Sequence, residues 1–291
     1  PAPPLTVLSS TEISNLYIKE NIGGDINKVK LVPEEYGTIQ EAIDAAADGD
    51  KIFIKEGTYL ENLVIRNKSI DLNGRYRQRP IIDGSNLDTV IKIYDSRVAI
   101  RDFIIKNGGS GNVDLPDSSK QGGIGGISAI NSNLSMQKIY VVDNNGVALY
   151  YDYGPENGGF FADDCNFRRN KNYRDLNLGA VHLSRYGGAT IMYNWIEEND
   201  GDGMHVVRAH EVVRNVPGST HIFEGYSRNN KGTGLKLYYT SAVVHDFSLY
   251  DNEGDGLKAA NVAEINISNL NIYNNGHQIT CYDGDFNLFN S

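Results

Sequence analysis

The sequence predicts an all-β protein, a single-domain parallel β-helix solenoid with one short helix near its start. Three observations lead to this prediction: a strand closed by asparagine recurs along the chain, a glycine-rich turn follows it, and apolar residues alternate with polar ones at period two. The chain also holds 31 glycines among 291 residues, above the usual ~7%. Such a composition favours turns and strands over helix interiors.

The helix signal lies near residue 40. Thr38 and Glu41 have the spacing of a capping box. Apolar residues follow at helical spacing, at Ile39, Ala42, Ile43 and Ala46. Short strands separated by turns come directly afterwards. We therefore expect a lead-in segment over residues 1–30 and a β-helix domain over residues 31–291, with the helix as its N-terminal cap.

The repeats set the size of one coil. Six strands end on an asparagine, at Asn144, Asn170, Asn199, Asn230, Asn252 and Asn275. Consecutive closing asparagines lie 26, 29, 31, 22 and 23 residues apart, which fits a coil of about 22 residues with loop insertions. Equivalent residues of neighbouring coils lie ~4.8 Å apart in a parallel β-helix. The asparagines are therefore expected to form an internal ladder of amides that hydrogen-bonds the corner backbone.

Charge and hydropathy restrict the function. The chain has 27 Lys and Arg against 37 Asp and Glu, a net charge of −10, whereas a general nucleic-acid binder carries a basic surface. No apolar run reaches the ~18 to 20 residues that cross a bilayer. We expect neither nucleic-acid binding nor membrane insertion. Cys165 and Cys281 are too far apart in sequence for a metal motif, and both are expected to be buried thiols.

The stretch from Thr38 to Ile65, which joins the helix to the first strands, resembles the opening of right-handed β-helix proteins. These include periplasmic copper-pathway β-helix proteins, pectin methylesterases and the pectate-lyase-like carbohydrate-binding and sugar-hydrolysis repeats. The resemblance implies a right-handed solenoid. It implies little about activity, since this fold carries lyases, hydrolases, esterases, epimerases and non-catalytic binders.

Differences from the catalytic motifs of known β-helix enzymes restrict which activity the chain can have. The segment Gly57-Thr-Tyr-Leu-Glu61 is similar to the Gly-x-Tyr-x-Glu segment of pectin methylesterases, but no later segment matches the one that carries their catalytic aspartate. The Asp-Pro-His motif of alginate epimerases is absent. An Arg-x-Pro-x-x-Arg motif like that of one pectate lyase family is also absent, because the residues from Arg75 to Pro80 stand in the wrong order.

Strands that follow the glycine turns carry a column of residues that is unusual for an outer face. Its members, called the polar column below, are Tyr150, His182, His205, Lys236 and Lys258. Three positions after its last four members come Arg185, Arg208, Tyr239 and Asn261. Because apolar residues flank each member and must face the core, the column is expected to point outwards.

A solvated outer face would also be polar, but cations gathered in a protein of net charge −10 create a local positive field. The ligand predicted for such a stripe is an extended uronic-acid polysaccharide. Its carboxylates would meet the cations, and tyrosine rings would contact the sugars. The predicted substrate-binding residues are Tyr150, His182, Arg185, Tyr238 and Tyr239.

If the stripe is catalytic, β-elimination suits it best: a base removes the C5 proton, cations neutralise the uronate, and an acid assists the leaving O4. Lys236 is the predicted base, because the neighbouring Lys258 would repel its proton. Arg208 or His205 would neutralise the carboxylate or act as the acid. The alternative is that both lysines only improve solubility.

Two further features bear on a site. Several aspartates near the turns offer oxygen ligands for Ca²⁺: Asp163, Asp164, Asp200, Asp202 and Asp255. Asp-Gly pairs are, however, also ordinary turn residues. Calcium is thus a possible cofactor, and no metal ligand is assigned. The insertion Gly108–Gly126 is expected to be a mobile loop that walls a groove.

Three functions remain open. The first is a polysaccharide lyase or a closely related enzyme, the second a non-catalytic cell-surface module that binds polysaccharide on the same face, and the third a structural stalk. An enzyme needs a lysine within ~3 Å of an acid or cation partner, whereas a binding module needs only an open face. An extracellular or cell-surface location is expected. Further domains beyond the C-terminus are possible, because no capping helix is recognisable there.

Overall fold

The computed structural model describes residues 25–74, 78–155, 159–171, 178–207 and 219–289. Within these ranges the chain forms a parallel β-helix, as the repeats predicted. Every strand pairing in the described ranges is parallel except one antiparallel hairpin. Residues 1–24 of the predicted lead-in segment lie outside the described residues, and the predicted domain boundary stays a prediction.

The elements are short and follow one another closely. A 3-10 turn covers Ile26–Lys28, and the helix α1 covers Ile39–Asp44. The strands are β1 (Val29–Val32), β2 (Lys51–Ile54), β3 (Thr58–Leu60), β4 (Leu63–Arg66), β5 (Ser69–Gly74), β6 (Ile81–Asp83), β7 (Ile91–Tyr94), β8 (Arg97–Arg101), β9 (Ile104–Lys106), β10 (Gly111–Asp114), β11 (Lys120–Ile130), β12 (Asn133–Gln137), β13 (Tyr140–Val142), β14 (Val147–Asp152), β15 (Phe160–Asp163), β16 (Asn166–Arg168), β17 (Gly179–Ser184), β18 (Ala189–Glu197), β19 (Asp202–Val207), β20 (Ser219–Arg228), β21 (Leu235–Tyr238), β22 (Ser241–Tyr250), β23 (Asp255–Ser268), β24 (Asn271–Tyr273) and β25 (His277–Phe289).

The pairings arrange these strands in three stacks around the solenoid axis. The first stack contains β4, β7, β11, β14, β17, β19, β21 and the starts of β23 and β25. The second contains β1, β2, β5, β8, β12, β15 and the starts of β18, β20 and β22, followed by the ends of β23 and β25. The third contains β3, β6, β9, β13, β16, the ends of β18, β20 and β22, and β24.

The interior holds one long apolar cluster made of the inward residues of all three stacks. Each strand contributes every second side chain, because successive residues of a strand point to opposite faces. In β8, for example, Val98 and Ile100 are buried while Arg97 is exposed. Tyr151, Phe103, Phe167 and Phe247 are among the largest side chains in this core.

The predicted asparagine ladder is confirmed. Each closing asparagine donates from Nδ2 to Oδ1 of the asparagine one coil further on, at 2.8 to 3.2 Å, from Asn144 to Asn275. The same Oδ1 atoms accept backbone N–H groups, as Oδ1 of Asn170 does from the backbone N of Asn144. The ladder thereby satisfies corner groups that no strand pairing reaches.

The predicted helix is also present. Thr38 and Glu41 form both hydrogen bonds of the capping box, and Ile39, Ala42 and Ile43 are buried in the main core. That α1 caps the solenoid stays a prediction. No helix within the described ranges is long and apolar enough to cross a bilayer. Cys165 is buried as expected, but the prediction for Cys281 is wrong, since its strand β25 is the last of its stack and its thiol is exposed.

Candidate functional site

The polar column occupies one register position of the first stack. Tyr150 of β14 pairs with His182 of β17, which pairs with His205 of β19, and the series continues to Lys236 and Lys258. The alignment predicted from the glycine turns is therefore confirmed. The residues before and after His182, His205 and Lys236 in their strands lie in the main core, as predicted: Val181, Leu183, Met204, Val206, Leu235 and Leu237.

The column is nevertheless not an open stripe. Tyr150, His182 and His205 are buried, with exposed fractions of 3%, 6% and 1%, and the two lysines are half-buried. The rings contact one another: Tyr150 and His182 stack with centroids 5.3 Å apart, and His182 meets His205 edge-on at 5.1 Å. These three side chains are buried although their strand neighbours occupy the main core, so this part of the outer face is covered from outside the solenoid.

Part of that cover is the insertion at residues 108–126. It was predicted as a mobile loop, but β10 and the start of β11 pair within it as an antiparallel hairpin. Val113 and Ile124 of the hairpin belong to a second apolar cluster that also contains Tyr150. Asp117 follows β10, and its Oδ2 accepts a hydrogen bond from the Tyr153 hydroxyl at 3.0 Å. The insertion does wall the column, as an ordered element.

A buried carboxylate lies beside Tyr150. Asp152 ends β14 and is fully buried; it accepts a 2.8 Å hydrogen bond from the Tyr150 hydroxyl and a bidentate pair of hydrogen bonds from Arg185. The Arg185 guanidinium also lies 3.6 Å from the centroid of the Tyr153 ring. Arg185, predicted as a binding residue, is thus held in place by Asp152.

Sequence reasoning missed Asp152 and Tyr153. The available signal was the strand period, because Tyr150 and Asp152 are two residues apart and share the outer face of β14. Pairing with Arg185, 33 residues later, was not visible in that spacing.

Lys236 forms the second buried ion pair. Its Nζ donates to Oδ2 of Asp202, and both side chains are 13% exposed. Oδ1 of Asp202 accepts the backbone N–H of Thr233 at 2.7 Å. Asp202, considered above as a turn residue or a calcium ligand, therefore holds the ammonium group that was predicted to be the base. The Nζ of Lys236 is thus already hydrogen-bonded to a carboxylate.

The other predicted residues are placed differently. Lys258 follows Lys236 in register and makes no ion pair with the residues that the structure describes. Tyr238 is half-buried and meets His205 edge-on at 5.3 Å. Tyr239 lies at a corner with φ of 53° and is 57% exposed, so the structure does not join it to the column. Arg208 lies outside the described residues.

Burial governs the electrostatics of the column. Desolvation lowers the pKa of His182 well below its usual value, and the charges of His205 and Arg185 act in the same direction. The Nδ1 atom of His182 has no hydrogen-bond partner among the described residues. Burial, the charge of Asp152 and the hydrogen bond to it raise the pKa of Tyr150. The imidazole is therefore neutral at neutral pH, and the phenol keeps its proton.

The lowered pKa of His182 predicts a pH dependence of stability. In the unfolded chain the His182 imidazole has a pKa of ~6.5 and takes up a proton below that pH, whereas the buried ring of the folded protein does not. The folded state is therefore stabilised above that pH, and this contribution to the unfolding free energy is lost as the pH falls. Between about pH 7.5 and 5.5 the wild type is expected to lose about 1.4 kcal/mol more of its unfolding free energy than His182→Gln. Urea denaturation at both pH values measures this. The control His245→Gln changes an exposed ring, and equal pH slopes for wild type and His182→Gln would contradict the prediction.

No metal centre is evident in the described ranges, where no three His, Cys, Asp or Glu side chains are grouped to hold an ion. Of the aspartates considered as calcium ligands, Asp202 pairs with Lys236. Oδ1 of Asp255 lies within hydrogen-bond distance of Nδ1 of His277, at 2.8 Å. Calcium binding stays a prediction.

Comparison with known proteins gives the fold. No family model matches the sequence, and no curated protein matches it. The chain is similar to the A-module of the Azotobacter vinelandii mannuronan C-5 epimerase AlgE4, with 20% identity and a TM-score of 0.52 over 79% of this chain and 72% of that one. It is also similar to the pectate lyase Pel9A, with 11% identity and a TM-score of 0.51 over 86% of this chain and 71% of that one. The chain is thus a right-handed parallel β-helix, as the resemblance of residues 38–65 implied.

Proposed function

We propose that this protein binds an extended uronic-acid polysaccharide along the first stack and cleaves it by β-elimination. The observation that carries the proposal is a pair of ion pairs on the first stack: Lys236 of the polar column with Asp202, both largely buried, and Arg185, three residues after His182, with the fully buried Asp152. Burying charged groups costs several kcal/mol per ion before pairing offsets it. Both pairs lie outside the main apolar core, and such groups concentrate at functional sites.

The geometry supports a division of roles among the cations. The Arg185 side chain is 35% exposed, so its positive charge can act on a substrate carboxylate although Nε and Nη2 donate to Asp152 and Nη1 donates to the Tyr153 hydroxyl. Lys236, whose Nζ donates to Asp202 one coil away from Lys258, suits neutralisation of the uronate or protonation of the leaving O4. Lys258 has no carboxylate partner among the described residues, so it suits removal of the C5 proton better than Lys236, the base predicted above.

In the proposed reaction the base takes the C5 proton and the C4–O4 bond breaks. A double bond forms between C4 and C5, and O4 leaves with a proton supplied by the acid. The neutral ring of His182 and the protonated Tyr150 are buried beside the cations, where in this proposal they exclude water rather than carry charge.

The comparisons support the choice of substrate class without fixing the reaction. Mannuronan and pectate, the polymers in the names of the two similar structures, are both uronic-acid polysaccharides. Removing the C5 proton is the first step of either epimerisation or elimination. A location outside the cell follows from such a substrate and is part of the proposal.

The test is incubation with polygalacturonate, mannuronan and glycosaminoglycans in D₂O, with Ca²⁺ or with a chelator. Ultraviolet absorbance detects unsaturated uronides, and proton NMR detects exchange and inversion at C5. We expect an absorbance rise on one of these polymers. Exchange at C5 without an absorbance rise would replace the lyase by an epimerase. If neither signal is seen but one polymer retards the protein in an affinity gel, the protein is a binding module and the enzymatic proposal is wrong.

A further inference from the structure

A groove of about 700 Å³ lies on the second stack, on a different side of the solenoid from the polar column. It crosses six successive strands, β5, β8, β12, β15, β18 and β20. Since parallel strands are ~4.8 Å apart, five steps make it roughly 24 Å long. A groove of this length fits an extended chain rather than a compact small molecule.

The register explains why the surface is hollow there. One outward position is occupied in successive coils by Asp71, Ala99, Ser135, Phe161 and Thr190. Ala99 and Ser135 are small, so the floor is low between the larger residues at either side. In the adjoining outward position the series passes from Arg97 and Asn133 to the side-chain-free Gly159 and Gly188.

The groups that line the groove have mixed chemistry. Arg97 is exposed, and its guanidinium makes no hydrogen bond or ion pair with the described residues. Phe161, two coils further on, presents a half-buried ring. Ser135 offers a hydroxyl group in the coil between Arg97 and Phe161, and Thr190 offers one in the coil after Phe161. At the end of the groove formed by β5, Nη1 of Arg101 lies 3.4 Å from Oδ2 of Asp71.

This mixture selects one kind of occupant. A lipid or an amphipathic helix would need a larger apolar surface, and an added peptide strand would need an unpaired sheet edge, which the middle of the second stack does not have. Nucleic acid is disfavoured by the net charge of −10. A saccharide combines hydroxyl groups with faces that stack on aromatic rings, and acidic units would pair with Arg97.

We propose that this groove is a second saccharide-binding site, distinct from the polar column, which holds an acidic oligosaccharide across the coils. A carboxylate of the ligand binds Arg97, and a sugar ring about two units further along packs on Phe161, ~10 Å away. Only the acidic class of sugar rests on the function proposed above. The site lets the protein hold one part of a polymer while the column contacts another, which raises the effective concentration of substrate.

Calorimetric titration with hexasaccharides of galacturonate and of mannuronate tests the proposal, in a Lys258→Met background that lacks the proposed base and so leaves the ligands intact. We expect two hexasaccharides of one type per chain of that background and one per chain when Arg97→Gln/Phe161→Ala is added. Losing a charge-assisted hydrogen bond and an aromatic contact is expected to weaken the remaining affinity of the groove at least about tenfold. Ala99→Trp fills the groove without removing a contact and is also expected to leave one hexasaccharide bound per chain. Tyr273→Ala, an exposed residue of the third stack, is the control and should bind two.

The outcomes separate this proposal from the enzymatic one. Turnover of short substrates should be unchanged in the groove variants, because the column is intact, while their KM for the long polymer should rise. If the groove variants and Ala99→Trp, shown to be folded by their thermal unfolding, bind as the wild type does, the groove proposal is wrong whether or not the protein is an enzyme. If they lose one ligand although no variant and no wild-type sample turns over substrate, the groove stands and the enzymatic proposal fails.

Discussion

Lys258→Met is expected to lower kcat on the uronic-acid polymer by about 10³-fold, with little change in KM, since it removes the proposed base and a general base contributes about 10² to 10⁴. Folding should be unaffected, because Lys258 makes no ion pair with the described residues and methionine preserves the apolar stem. Steady-state ultraviolet assays at several substrate concentrations measure both constants. This prediction depends on the function proposed above.

Lys236 supplies the matched comparison, one coil away in the same column. Lys236→Met leaves the nearly buried Asp202 without its cation, so a loss of stability of about 3 kcal/mol is expected beside any loss of activity. Lys236→Met/Asp202→Asn removes both charges and should recover most of that stability. If Lys258→Met turns over as the wild type does while the double variant is inactive and folded, Lys236 is the base and the assignment made here is wrong.

Asn199→Ala is expected to lower the free energy of unfolding by about 3 to 5 kcal/mol. Asn199 lies in the middle of the amide ladder and is 1% exposed. Its Oδ1 accepts from the backbone N and from Nδ2 of Asn170, and its Nδ2 donates to the carbonyl of Phe167 and to Oδ1 of Asn230. Alanine removes all four hydrogen bonds and leaves several buried partners unsatisfied, each at about 1 to 3 kcal/mol, with some recovery by relaxation.

Urea denaturation followed by circular dichroism measures this loss. The control is Asn266→Ala, which removes an amide that points outwards from β23 and, among the described residues, hydrogen-bonds to Glu264 and Asn287. We expect that variant to stay within about 0.5 kcal/mol of the wild type. Equal stability of the two variants would mean that the ladder fills space at the corners without stabilising them.

The general plan of the fold could be derived from residues that act locally. A closing asparagine, a glycine turn and alternating apolar residues recur in each coil, so coil length and register follow once a parallel β-helix is assumed. The same periodicity placed Tyr150, His182, His205, Lys236 and Lys258 in one column. The capping box of α1 was equally visible, because its two hydrogen bonds join residues only three apart.

The environment of the column could not be derived in this way. Whether His182 is exposed or buried depends on what covers the outer face, and the insertion at residues 108–126 reads as a loop from its composition. Its hairpin adds Val113 to a second apolar cluster around Tyr150. The partner of Lys236 is 34 residues away and that of Arg185 is 33 away, across coils whose insertions differ in length.

The sequence by itself determined the solenoid, its ladder and the alignment of one polar column, since each depends on a repeat that is written in every coil. The tertiary structure alone decided which members of that column are buried, which carboxylates hold Lys236 and Arg185, and where the second stack forms a groove. The physical reason is that burial and ion pairing depend on which side chains of different coils come within a few ångströms of each other. That in turn depends on insertions whose length differs from coil to coil.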